Sequence, residues 1–145
     1  PAEVAEARYG LAVDQMALKP EPGGEGEWRG GKGINTHYRV RADNNFLSIG
    51  YTRSRIPPWG VDGGLDGTPN YVEVLRPGKD PERYAFGTDI PLNTDDVVRV
   101  VTGNGGGFGD PKKRSAAAIA DDIKNGYLTP ERAAEIYGYH AEAAE

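Results

Sequence analysis

The stretch "GEWRGGKGINTHYRV", residues 26–40, joins a glycine-rich segment to an alternating one. From residue 34 onward, apolar or threonine side chains alternate with polar or charged ones in the order INTHYRVR. A period of two places the first set on one face of a β-strand and the second set on the other face. Residues 34–41 are therefore predicted to form a half-buried strand, with His37 on its polar face.

The glycines before this strand raise the question of a nucleotide-binding site. Gly26, Gly31 and Lys32 stand at the spacing of the phosphate-binding loop G-x-x-x-x-G-K-[ST]. That loop requires Ser or Thr after the lysine and a helix that begins at the phosphates, but here a glycine and then a strand pattern follow. The favoured interpretation is a glycine turn that allows Trp28 and Arg29 to pack before the strand.

The segments on either side predict a mainly antiparallel sheet. Further strands are expected in short apolar or alternating runs bounded by turn residues, at 11–18, 46–52, 71–76, 83–87 and 97–102. Residues 2–9 have the composition of a short helix. The Asp-Asn-Asn turn at 43–45 predicts that the strands on its two sides pair as an antiparallel hairpin.

Two glycine-rich segments interrupt these elements. Residues 53–70 contain paired prolines and repeated glycines, which exclude a helix or an interior strand, and ordered loops of this length tend to be functional. After the second segment, 103–111, two short helices are expected. Ser115 and Thr129 are their predicted N-caps, a proline follows the second cap, and a glycine ends each helix.

These elements together predict an α+β fold, with a mainly antiparallel β-sheet, long Gly/Pro-rich loops and two short C-terminal helices. Residues 1–145 are expected to form a single domain. The domain is predicted to be β-rich over 1–110 and helical over 111–140, and residues 141–145 are expected to fray.

Composition and charge exclude several classes of protein. The formal net charge of −5 argues against a general nucleic-acid binder, and the only basic run, Lys112 to Arg114, has the length of a solvated loop. No apolar run approaches the roughly 20 residues of a membrane span. The absence of cysteine is compatible with a cytoplasmic location. Because the chain begins at Pro1 and its sole methionine is Met16, we expect a piece of a longer polypeptide.

A run of three glycines is the first candidate for a ligand site or an interface. Gly105, Gly106 and Gly107 lead from a strand towards a helical region, which is the order found in an anion-binding nest of backbone N–H groups. Asp110 is counted with them as a candidate ligand or interface residue and, in the alternative interpretation, caps the helical segment that follows. The alternative is a tight crossover in which the glycines allow backbone segments to approach closely.

Arg53, Arg55 and Trp59 are the second candidate group. The two arginines could clamp a carboxylate or a phosphate. They could equally form an interface patch with the tryptophan, and this interpretation is favoured because Arg and Trp are enriched at interfaces.

No catalytic or metal-binding constellation emerges from the sequence. His37 and His140 have no second histidine or cysteine nearby that would complete a recognised metal pattern. The aspartate pairs at 62 and 66, 95 and 96, and 121 and 122 are interpreted as turn or solvent chemistry, because nothing in the sequence supplies the burial that separates pKa values. The residues alone therefore identify no catalytic set, and no metal ligand is predicted in this chain.

Three blocks of the sequence, in order, resemble hydantoinase B-type subunits. "GEWRGGKGINTHYRV" resembles their G-x-x-R-G-G-x-G-x-x-x-x-Y segment, and "RIPPWGVDGGLDGTPN" resembles their P-P-x-G-x-x-G-G-x-x-G-x-x-N loop. "GNGGGFGDPKKR", with the helical segment behind it, is similar to their closing G-G-G-G-x-G-D-P block. The match spans nearly all 145 residues. Three ordered blocks are far more specific than any single glycine run.

The resemblance implies a function as part of a two-component enzyme. The family includes ATP-dependent N-methylhydantoinases, 5-oxoprolinases, and acetone and acetophenone carboxylases. In this family the A-type component binds ATP and activates an amide or enolate oxygen by phosphorylation, and the B-type part completes hydrolysis or carboxylation. This chain would be the C-terminal structural portion of a B-type subunit, inactive alone, with the catalytic and metal-binding positions mostly in the part upstream of it. Its implied partners are the remainder of that subunit and the A-type subunit.

The resemblance also implies where cofactors belong. ATP and a divalent metal are expected in the full complex, whereas this chain is expected to bind no cofactor by itself, no nucleic acid and no membrane. One alternative from another class stays open. The chain could be a stand-alone β-rich interaction or ligand-binding module, with the arginine–tryptophan loop as its contact surface.

Overall fold

The computed structural model describes residues 1–140, so the expected fraying of 141–145 lies outside the described residues. Residues 1–140 contain seven strands: β1 (Leu11–Leu18), β2 (Ile34–Val40), β3 (Asn45–Gly50), β4 (Tyr71–Leu75), β5 (Glu82–Tyr84), β6 (Phe86–Leu92) and β7 (Val97–Val101). The helices are α1 (Ala2–Arg8), α2 (Ala116–Lys124) and α3 (Pro130–Arg132), with a 3-10 turn at Pro111–Lys113 and a π-helical turn at Ala133–Tyr137. The predicted α+β class with a mainly antiparallel sheet is confirmed.

The chain folds as two compact units, each built from three separate segments. The first, here called the sheet unit, comprises residues 1–19, 33–55 and 69–103. The second, here called the glycine unit, comprises 20–32, 56–68 and the described residues 104–140. The single domain expected from the sequence stays a prediction.

The sheet unit contains five antiparallel strands in the order β1-β2-β7-β4-β5 and a separate two-stranded ribbon of β3 and β6. The hairpin predicted between β2 and β3 is therefore wrong, because β2 pairs with β1 and β7 instead. The turn between β2 and β3 is held elsewhere: Asp43 accepts hydrogen bonds from the N–H of Thr94 at 2.9 Å and from its hydroxyl at 2.8 Å. These bonds lower the pKa of Asp43.

The core of the sheet unit explains why β3 leaves the main sheet. Val40, Val72, Val74 and Val98 are buried on one face of the five-stranded sheet. Leu47 and Ile49 of β3, with Leu92 of β6, pack over that face. Strand β3 in a hairpin with β2 would leave these valines exposed to water, at a cost of about 25 cal/mol per Å² of apolar surface.

A second strand prediction also needs correction. The run 83–87 was predicted as one strand, but it divides at Ala85. Residues before Ala85 pair with β4 in the five-stranded sheet, and residues after it pair with β3 in the ribbon. The same short run of sequence thus contributes both to the five-stranded sheet and to the two-stranded ribbon.

The glycine unit is held together by backbone contacts between extended segments rather than by a regular ladder. Leu65 donates to Glu25 O at 2.7 Å, and Gly107 donates to Leu65 O at 2.9 Å. At eight glycines of this unit a Cβ atom would fall against a neighbouring backbone carbonyl: Gly24, Gly26, Gly30, Gly60, Gly64, Gly67, Gly106 and Gly107. Glycine is required at such approaches because every other residue carries that atom.

The helices of the glycine unit follow the predicted caps. Ser115 accepts from Ala118 N at 3.3 Å at the start of α2, and Thr129 accepts from Arg132 N at 3.2 Å at the start of α3. Gly138, with φ of 66°, ends the second helical segment. Ile119, Ala133 and Tyr137 form a small buried cluster between these segments.

Candidate functional site

The glycine unit contains a buried carboxylate with two guanidinium partners. Asp122 lies on the buried face of α2, three residues after Ile119. Its Oδ1 accepts from Arg29 Nε at 2.8 Å, and its Oδ2 accepts from Arg114 Nη2 at 2.7 Å. Both oxygens of this carboxylate are thus bound by guanidinium groups, an arrangement that suits a structural role.

The sequence interpretation missed this cluster. Arg114 was assigned to a solvated run and Asp122 to solvent chemistry, but their side chains are only 10% and 6% exposed. Arg114 also donates to the carbonyl of Glu27 at 2.8 Å, and Arg29 stacks over the ring of Tyr127 at 4.5 Å. One signal was available: a charged residue on the apolar stripe of an amphipathic helix indicates a buried ion pair.

A second carboxylate in the same unit has one free oxygen. Glu25 is buried, and its Oε1 accepts from Arg132 Nε at 2.9 Å. Its Oε2 has no hydrogen-bond partner within residues 1–140. A cavity of about 20 Å³ is lined by Glu25, Lys32, Asp122 and Tyr137, among other residues. A space of this size and polarity suits a single water molecule.

Lys32, the lysine of the phosphate-loop spacing, is engaged by the main chain. Its Nζ donates to the carbonyl of Glu21 at 2.9 Å. Burial lowers the pKa of Lys32. Burial has the opposite effect on Tyr137 and raises its pKa, so its hydroxyl stays protonated at neutral pH. The segment that follows Lys32 in the chain is strand β2, as the sequence predicted, and not the helix of a phosphate loop.

The sheet unit carries a polar row that crosses all five strands in register. Gln15, His37, Arg99, Glu73 and Arg83 stand side by side on the face opposite the valine core. Glu73 is buried, accepting from Arg83 Nη2 at 2.6 Å and from Arg99 Nη1 at 3.0 Å. His37 Nε2 is buried without a hydrogen-bond partner in the part of the chain that the structure describes. The carboxylate is again bound by two arginines.

These clusters can hold segments together but are poorly suited to proton transfer. In both units the buried carboxylates are neutralised by guanidinium groups, which remain protonated at any physiological pH. Within residues 1–140, no group of three or more histidine or acidic side chains is arranged to hold a metal ion. Over the same residues, no helix is long and apolar enough to cross a membrane.

The glycine run singled out by the sequence lies inside the glycine unit. The N–H of Gly105 donates to Gly31 O, and that of Gly107 donates to Leu65 O, both at 2.9 Å. A Cβ on Gly106 would lie against the backbone of Trp59. These contacts are those of the tight crossover, and a ligand role for the run stays a prediction. Asp110 accepts from Lys112 N at 2.9 Å, which caps the following 3-10 turn.

The arginine–tryptophan group is divided between the two units. Arg53 and Arg55 belong to the sheet unit, and Trp59 belongs to the glycine unit. The carbonyl of Arg53 accepts from Asn70 N at 2.9 Å. Trp59 is 61% exposed. An interface role for these residues stays a prediction.

The sequence profile of the hydantoinase B/oxoprolinase family matches residues 1–111. The chain belongs to this family. An uncharacterized family relative from Methanocaldococcus jannaschii is 34% identical over 137 residues, covering 94% of this chain and 24% of the relative. A putative B-type subunit of a D-/L-hydantoinase from a Pseudomonas species is 30% identical over 147 residues, covering 95% of this chain and 24% of the relative.

The fold of this hydantoinase B-family chain is also found in a solved enzyme structure. A nucleotide-free structure of acetone carboxylase, described with the mechanism of ATP-dependent acetone carboxylation, matches with a TM-score of 0.84 and 23% identity. The match covers 99% of this chain and 23% of the carboxylase chain. The present chain thus spans about a quarter of the length of each of these three relatives.

Proposed function

We propose that this chain is the structural and assembly portion of a B-type subunit in an ATP-dependent amidohydrolase or a related ketone carboxylase. The amidohydrolases in question would be of the hydantoinase or oxoprolinase kind. The remainder of the subunit and an A-type ATP-binding subunit are its partners. ATP and a divalent metal act in the full complex, which works in the cytoplasm, and the chain alone is inactive.

The observation that carries this proposal is that the chain is much shorter than the relatives whose fold and family it shares. The whole of this chain corresponds in fold to about a quarter of a chain in an ATP-dependent carboxylase, and its family profile is that of hydantoinase B. A segment of this size can complete the fold of a larger subunit. The paired carboxylates described above support a structural role, since Asp122 and Glu73 are each bound by two arginines.

The proposal is tested by comparing turnover of the chain alone with that of the assembled enzyme. ATP-dependent phosphate release would be measured with hydantoins, 5-oxoproline, lactams, and ketones with bicarbonate. We expect no release above background from the purified 145-residue chain. Release is expected when the full-length subunit is co-expressed with the A-type subunit. Substrate-dependent ATP hydrolysis by the chain alone would contradict the proposal.

One observation favours the alternative of an interaction module. In the loop 56–68, Trp59 and Ile56 are both largely exposed, as expected for a contact surface. The length of the native polypeptide in cell extracts separates the two hypotheses. A polypeptide about four times as long as this chain supports the subunit, whereas one of 145 residues supports the module.

A further inference from the structure

The largest apolar side chains of this protein lie on its surface. The sheet core is built mostly of valine. By contrast, all three phenylalanines, both tryptophans and the single methionine are at least half exposed: Phe46, Phe86, Phe108, Trp28, Trp59 and Met16. Residues of these types are usually buried in a folded domain. Single exposed apolar residues are common on protein surfaces, whereas a continuous apolar surface marks an interaction site.

Three of the exposed apolar residues are adjacent by backbone pairing. Trp28 and Phe108 exchange two hydrogen bonds of 2.9 Å as an antiparallel pair. On the other side of Phe108, Val61 forms a parallel pair with it. Val61 N donates to Gly107 O, and Val61 O accepts from Gly109 N. Directly paired residues project their side chains from the same face. Trp28, Phe108 and Val61 thus form one continuous row, here called the aromatic row.

The aromatic row is exposed although its backbone is tightly packed. Trp28 is 66% exposed, Phe108 is 50% exposed and Val61 is 49% exposed. Beneath it, a Cβ on Gly26 would lie 2.7 Å from Phe108 O, and one on Gly64 would lie 2.7 Å from Phe108 N. The sequence prediction that Trp28 packs before strand β2 is therefore wrong for the described part of the chain. A rigid backbone that presents large side chains lowers the entropy cost of binding.

We propose that the aromatic row is the docking surface for the remainder of the B-type subunit, a proposal that rests on the function proposed above. The relatives are about four times as long as this chain, so most of such a subunit lies outside it. Permanent interfaces are more hydrophobic than transient ones and resemble a domain core cut in half. The row contains no charged side chain, and tryptophan is the residue most enriched among those that dominate binding energy.

The test uses the full-length subunit with a protease site placed immediately before Pro1. After cleavage, the affinity of the 145-residue chain for the remainder is measured for wild type, Trp28→Ser and Phe86→Ser. We expect Trp28→Ser to weaken binding about 30-fold or more, which is the effect of losing a dominant interface residue. Phe86→Ser is the matched control, an even more exposed aromatic residue outside the row, and it should change the affinity by less than about 3-fold.

Thermal unfolding of the isolated chain separates a docking role from a folding role. Both variants should unfold within about 2 °C of the wild type, since both side chains are exposed. Binding unchanged by Trp28→Ser, binding weakened equally by Phe86→Ser, or a large loss of stability in the isolated Trp28→Ser chain would each overturn the inference. A native polypeptide of only 145 residues would instead overturn the proposed function and this inference with it.

Discussion

Gly30→Ala is expected to destabilise the glycine unit by about 3 kcal/mol or more. A Cβ at this position would lie 2.8 Å from Gly106 O and closer still to the backbone of Gly105. These are main-chain atoms in a packed segment, so no side-chain rotation can relieve the overlap. The free energy of unfolding, measured by urea denaturation followed by circular dichroism, gives the effect directly.

Gly31→Ala is the matched control for this prediction. Gly31 is the next residue along the same chain, and a Cβ there would meet nothing within 4 Å. Its φ is not in the left-handed region, so alanine is sterically allowed. We expect a change of less than about 0.5 kcal/mol. Equal effects of the two substitutions would show that backbone packing is not the reason for the glycine at 30.

Asp122→Asn is expected to cost about 3–5 kcal/mol, the range for breaking a buried ion pair from one side. The substitution nearly preserves the shape of the side chain but removes its charge. Two guanidinium groups, those of Arg29 and Arg114, would then lack their counter-ion in a site that is mostly shielded from water. Urea denaturation of the variant measures the loss.

Asp121→Asn provides the comparison for this second prediction. Asp121 is the preceding residue on helix α2 and is exposed, so the same chemical change is made in water. Its effect should stay within about 0.5 kcal/mol. If Asp122→Asn were as well tolerated as Asp121→Asn, the carboxylate would not be needed to neutralise the two arginines, and its structural role would be refuted.

Local signals in the sequence predicted much of the fold. The alternation around His37 predicted strand β2, and Ser115 and Thr129 predicted the starts of two helices. These features depend on neighbours within a few residues, which a single sequence contains. The same holds for the lack of helix or strand across the glycine–proline loop 53–70.

The features that the sequence failed to predict depend on partners far away in the chain. The alternation of β2 says which side chains share a face, but not that its neighbours are β1 and β7. Asp122 and Arg29 are 93 residues apart, and nothing local links them. Trp28 was expected to pack beside the glycine turn, but it is 66% exposed, because the segments that lie over a side chain are set by the whole fold and not by its neighbours in sequence.

The glycine clusters illustrate a third case, in which the sequence contained the right residues but could not decide between two uses. A run such as Gly105 to Gly107 serves equally well to expose N–H groups to an anion or to let chains pass closely. Only the positions of the neighbouring backbones distinguish the two. In this structure Gly105 and Gly107 donate to carbonyls of the chain itself.

Amide hydrogen exchange at these glycines tests most directly whether the glycine-rich segments are packed against one another rather than open to a ligand. The amides of Gly105 and Gly107 should exchange much more slowly than that of Gly78 in the exposed turn after β4, and their NMR signals should not move when ATP or inorganic phosphate is added. Exchange as fast as at Gly78, together with signals that shift on addition of ATP or phosphate, would contradict it.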